Sequence, residues 1–165
     1  MIYDWKIIAE HLRQELSDYG ALLSLYEQQQ RGLFARQPEN VLQLSTSIQA
    51  HVEHVAESRK RRERVVAEFA VGLGMPADAT LRSLLPLIDK DARPLIEALI
   101  SEINLMLHRV RRKHRQNHTL LSTAIAMHRE TLQMLRPNAF TRTYSPAGML
   151  SIASIRPAST LCAAG

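Results

Sequence analysis

From Ile96 to Met134 the chain places a seam residue every three or four positions: Ile96, Leu99, Ile103, Met106, Val110, Lys113, Asn117, Leu120, Ala124, Met127, Thr131 and Met134. Only an α-helix brings positions at that interval onto one side, and about six heptads of it describe a coiled-coil-like seam. The spacing predicts a helix over about 91–136, with Pro94 in its first turn and Pro137 as its stop. At 1.5 Å rise per residue such a helix is about 65 Å long. A chain of 165 residues needs no helix of that length to close one compact core.

Two more helices precede it. Trp5, Ile8, Leu12, Leu16, Tyr19, Leu23, Tyr26 and Leu33 step by threes and fours apart from one gap at Gln30, which predicts a helix over about 4–36 with Asp4 as N-cap. Val41, Leu44, Ile48, Val52, Val55, Val66 and Phe69, interrupted by Arg59 and Arg62, predict a second over about 39–71. Pro38 lies in its first turn, and Gly72, Gly74 and Pro76 mark its end. Leu81, Leu84, Leu85 and Ile88 fit a short helical connector over 80–89, capped by Asp78 or Thr80. Residues 137–165 are rich in Ala, Ser, Thr and Pro, hold no carboxylate side chain, and read as a flexible tail with one short amphipathic turn between Met149 and Ile155.

Narrow apolar seams gain their stability by packing on one another, each buried Leu, Ile or Val contributing about 1.5–3 kcal/mol. The short 36–39 connection makes the first two helices antiparallel neighbours, and the longer 72–91 segment lets the third return. The expected fold is all-α: an elongated antiparallel three-helix bundle over 1–136, coiled-coil-like in its packing and long in its third helix. The excess length of that helix offers apolar residues to a partner.

Composition narrows the function classes. Aromatic residues are only 5% of the chain, which suits helices better than a sandwich or barrel. The lone Cys162 permits no internal disulfide and fits a reduced, cytoplasmic setting. The N-terminal residues lack a basic stretch followed by an apolar run, and no stretch of about 20 apolar residues occurs, so neither a signal peptide nor membrane insertion is expected.

No pattern of catalytic residues emerges: carboxylates are scattered and no Gly-rich phosphate loop occurs, so no enzyme and no cofactor are expected. His114 and His118 stand four apart on one helix face, but Arg and Lys surround them and no HExxH motif is present, so no metal site is expected. The basic runs Arg59–Arg62 and Arg109–Arg115, with a net charge of +5, open an alternative as a basic helical nucleic-acid-binding module. Missing stacking aromatics and nearby Glu53, Glu57, Glu63 and Glu102 favour a solvated face and no nucleic acid. A structural coiled-coil adaptor is the third class. Asn117, polar within an apolar seam, is a candidate for fixing register.

Leu22-Leu23 with Glu27-Gln28-Gln29-Gln30 on the first helix, Asn117-His118-Thr119-Leu120-Leu121 on the third, and Thr143-Tyr144-Ser145-Pro146-Ala147-Gly148 beyond it together resemble the FlgN family of flagellar export chaperones. Leu22-Leu23 followed by Glu27-Gln28-Gln29-Gln30 is similar to the family's first-helix segment, and Asn117-His118-Thr119-Leu120-Leu121 to its Asn-x-x-Leu-Leu element. Leu135-Arg136-Pro137 and then Thr143-Tyr144-Ser145-Pro146-Ala147-Gly148 resemble its ending, a helix stop followed by Tyr-x-x-x-Gly. The chain differs in having His114 where relatives often carry a second Asn, and Ser45-Thr46-Ser47 where a Glu/Lys pair is typical. The resemblance implies a bacterial flagellum-assembly chaperone of type III secretion that binds the hook-associated (hook–filament junction) proteins FlgK and FlgL through their C-terminal helices. It would deliver them to the export gate protein FlhA. It further implies client binding by Leu120, Leu121, Met127, Leu132, Met134, Leu135 and Phe140, and gate docking by Tyr144. Long seams also pair between copies, so a homodimer is allowed.

Overall fold

The computed structural model describes residues 5–135 in full and residues 141–144 and 150–153 as backbone. Helix α1 spans Trp5–Phe34, α2 Pro38–Gly72, α3 Leu81–Leu84 with a 3-10 turn at Leu85–Leu87, and α4 Arg93–Leu135. Strands β1 (Thr141–Tyr144) and β2 (Leu150–Ala153) follow. The chain divides into two units, Met1–His118 and Thr119–Gly165, the division falling within α4.

In the first unit, α1 and α2 lie side by side, their ends fixed by backbone chemistry. After α1, the Gln37 N–H donates to the Gly32 carbonyl (3.0 Å) and the Arg36 N–H to that of Leu33 (3.2 Å). These are the paired bonds of a Schellman stop, here with Arg36 rather than glycine in the left-handed position at φ 55. The end of α2 repeats the arrangement with a glycine: Gly74 has φ 74, and the Met75 N–H donates to Ala70 (2.9 Å). Gly32 permits a close approach at the turn, because a Cβ there would lie 3.2 Å from Val41 Cγ2.

Cross-helix bonds read Gln29 to Ser45, Asp18 to Ser58 and Glu15 to Arg62, so α2 runs back along α1. The core joins Ile8, Leu12, Tyr19, Leu22 and Tyr26 of α1 to Ile48, Val55, Val66 and Phe69 of α2 and Ile96, Leu99, Ile103 and Val110 of α4. Leu81, Leu84, Leu85 and Ile88 of the connector belong to the same core. Thr80 caps α3, its Oγ1 accepting from the Ser83 N–H at 3.2 Å. Arg93 then ties the connector to the start of α4 by donating from Nε to the Ile88 carbonyl at 3.0 Å.

The second unit holds the last part of α4 and an antiparallel strand pair, with Thr141 opposite Ala153 and Tyr144 opposite Leu150. Leu150–Ala153 is thus extended where the sequence suggested a helical turn. Alternation explains it: Thr-Arg-Thr-Tyr and Leu-Ser-Ile-Ala each place β-branched or apolar residues at every second position, a period that suits a strand.

Candidate functional site

α4 changes character along its length. Through the first unit its seam is covered: Ile96, Leu99, Ile103, Val110 and Asn117 are buried. Leu120, Leu121 and Ala124 are half-buried, and every residue from Ile125 to Leu135 is exposed. The apolar ones among them are bare to an unusual degree, with Ile125 53%, Met127 63%, Leu132 58%, Met134 72% and Leu135 73% exposed.

These residues form two neighbouring rows. Leu121, Ile125, His128, Leu132 and Leu135 step by four and three, and so do Leu120, Ala124, Met127, Thr131 and Met134. On a helix, rows one residue apart merge into one broad apolar face. Leu120, Leu121, Met127, Leu132, Met134 and Leu135 therefore share it. Ile125 also lies on this face and was not singled out from the sequence, although its spacing four after Leu121 and seven before Leu132 was the available signal. Phe140 lies outside the described residues. Tyr144 is the last residue of β1, described by its backbone alone.

The covered part of α4 ends on a polar layer. Asn117, 3% exposed, donates from Nδ2 to the Tyr26 carbonyl (2.7 Å) and to Gln29 Oε1 (3.0 Å). Gln29 Nε2 donates to Ser45 Oγ (3.0 Å), whose hydroxyl donates to the Val41 carbonyl (2.8 Å). One chain of bonds thereby crosses α4, α1 and α2. Asn117 Oδ1 is buried without a partner. Lys113 reaches Gln30 Oε1 at 2.9 Å, and the His114 ring stands edge-on to Tyr26 at 5.4 Å. Burial raises the pKa of the Tyr26 phenol.

A second polar layer lies deeper between α1 and α2. Glu15, 2% exposed, receives Arg62 Nε at 2.5 Å. Asp18 accepts from Ser58 Oγ (2.6 Å) and Gln14 Nε2 (2.9 Å), His54 Nε2 stands 3.5 Å from its carboxylate, and His51 Nε2 donates to its backbone carbonyl at 3.0 Å. The basic run of α2 is thus partly inward-looking: Arg62 serves the buried Glu15, while Arg59 pairs with exposed Glu63 at 2.9 Å. Burial, then the Glu15 carboxylate, raise the Tyr19 phenol pKa against the lowering effect of Arg59, Arg62 and Arg111. Among the described residues no His, Cys, Asp and Glu cluster suits a metal, and no helix is long and apolar enough to cross a membrane.

The described residues thus comprise a packed helical unit and, after it on α4, an exposed apolar helix face. The model of the family described as FlgN protein matches residues 1–152, and the chain belongs to the FlgN family. That membership supports a flagellum-associated chaperone role. Comparison with curated proteins and with solved structures returned no match.

Proposed function

We propose that this chain is a cytoplasmic flagellar type III export chaperone, a binding protein and not an enzyme. It holds the C-terminal helices of the hook–filament junction proteins FlgK and FlgL on α4 and presents them to the export gate protein FlhA. The observation that carries this function is the exposed face formed by Ile125, Met127, Leu132, Met134 and Leu135. A client helix whose own apolar side would otherwise aggregate finds there a helix of matching period.

The magnitudes suit a carrier. Covering five such side chains gains roughly 5–10 kcal/mol before association costs of about 4 kcal/mol or more. That leaves about 1–6 kcal/mol against the about 8 kcal/mol of a micromolar complex, so the apolar side that the client helix itself buries supplies the rest, and the complex stays weak enough to be released at a gate.

The supporting scaffold is an antiparallel three-helix arrangement with α4 parallel to α1. Asn117 meets α1 at Tyr26 and Gln29. Ile96 is buried 21 residues earlier on α4, and only the parallel direction leaves α1 residues beside it. Asn117 then fixes the register at which the covered seam ends. Phe140 extends the client contact and Tyr144 docks on FlhA.

The test is titration of the full chain with a FlgK or FlgL C-terminal helical peptide by calorimetry. The double variant Ile125→Asp/Leu132→Asp should lower affinity more than about tenfold, because each buried apolar contact contributes over about 1 kcal/mol, with helicity unchanged. Tyr144→Ala should keep the client and lose FlhA. Undiminished client affinity in the folded double variant would overturn the proposal.

A further inference from the structure

The exposed apolar face leaves unexplained where the chain keeps its charge. Five of the six residues 59–64 are Lys or Arg (all but Glu63), and Arg109, Arg111, Arg112, Lys113 and Arg115 crowd one stretch of α4. No Asp or Glu occurs from Ile103 through Arg129. Both runs fall in the first unit, and the contacts already described bring them to one level. On α2, Arg62 meets Glu15 and Ser58 meets Asp18, placing the run beside residues 15–19 of α1. On α4, Asn117 meets Tyr26, and two turns earlier along parallel helices stand Val110 and Arg111 beside Tyr19. The Tyr19 phenol feels Arg59, Arg62 and Arg111 together.

We infer that this belt, drawn from α2 and α4 around Tyr19, is a docking surface for an acidic segment of a partner polypeptide, separate from the apolar face of α4. Carboxylates are the anions the belt already engages: Glu15 on Arg62 and Glu63 on Arg59. Arg111 and Arg112 are exposed and have no carboxylate partner among the described residues. A partner's Asp and Glu side chains at helical spacing continue the series, and the field of clustered like charges speeds their arrival.

Other occupants fit less well. Residues 137–165 hold no carboxylate side chain and add Arg142 and Arg156, so the chain's own C-terminal segment repels the belt. The belt of a second copy has the same sign. Nucleic acid finds phosphate contacts, but Tyr19 and Tyr26, the tyrosines at the level of the belt, are buried and offer no face for a base to stack on.

The experiment uses the full chain and three probes at low and at physiological salt. They are a fluorescein-labelled helical peptide with Glu at successive i, i+4 positions, an oligouridylate of equal charge, and phosphatidylglycerol vesicles. The peptide is expected to bind. Arg111→Glu/Arg112→Glu should weaken it at least about tenfold, while Arg82→Glu/Lys90→Glu, the same change of net charge made elsewhere, should weaken it by less than about threefold. Circular dichroism confirms that both variants fold. Equal losses in the two variants would reduce the effect to net charge and overturn the inference. So would no peptide binding, or tighter binding of the oligouridylate or vesicles with the same dependence on Arg111 and Arg112.

Discussion

Removing Arg62 should unfold this protein more readily than any exposed charge change. Glu15 is 2% exposed and its carboxylate takes Arg62 Nε at 2.5 Å. Arg62→Met leaves that carboxylate in an apolar interior without its partner. Breaking a buried pair from one side costs about 3–5 kcal/mol. The Arg62 side chain is itself 19% exposed, so some water reaches the pair, and the expected cost is about 3 kcal/mol, near the lower end of that range. Glu15→Leu should cost less, because the freed guanidinium can turn toward solvent. The double variant Glu15→Leu/Arg62→Met should lie within about 1 kcal/mol of the native chain, since apolar replacement of a whole buried pair is often neutral or better. Urea unfolding followed by far-UV circular dichroism gives each stability. Against a total of about 5–15 kcal/mol these differences are large. A single Arg62→Met variant within about 0.5 kcal/mol of native, or a double variant costing the sum of the singles, would refute the assignment of Arg62 to Glu15.

Backbone and titration effects supply further tests. Gly20 lies inside α1 with open space where an alanine methyl would stand, so Gly20→Ala should stabilise by up to about 1 kcal/mol. Arg36→Gly should also stabilise, by about 0.5–1 kcal/mol, by relieving the left-handed position at φ 55; a fall in Tm for either variant would contradict these assignments. Tyr19 and Tyr26 both have phenol pKa values raised above 10.0, burial being the largest cause for each. Their contribution is complete below the unfolded value near 10.0 and is lost as pH rises through the folded values. The urea midpoint should therefore fall as pH rises through and above 10.0, and fall less in Tyr19→Phe/Tyr26→Phe.

The helical class was legible because three periodic seams are punctuated by Pro38, Gly72–Gly74, Pro94 and Pro137, residues whose backbone limits are local. The faces were less legible. On α1, Leu16 and Leu23 are only half-buried, while Glu15, Asp18 and Gln29 are buried. A carboxylate reads as surface until its partner is known, and the partners Ser58 and Arg62 lie 40 and 47 residues away. Arg62, which interrupts the α2 seam by composition, continues it by pairing. Asn117 stood out because a polar residue in an apolar row is visible in sequence, whereas Ile125 lies off the seam that starts at Ile96 and shows only when its spacing from Leu121 and Leu132 is followed beside that seam. The strand pair was missed because four-residue alternations beside Pro146 and Gly148 are too short to declare a period.

Amide hydrogen exchange across α4, with and without a FlgK or FlgL C-terminal helix, tests the central claim most directly. Alone, residues 119–135 should exchange faster than residues 96–117, whose seam is already covered. With the client bound, protection should rise through 119–135 while α1 and α2 stay unchanged. Protection confined to α1 or α2, with 119–135 exchanging as before, would contradict the account.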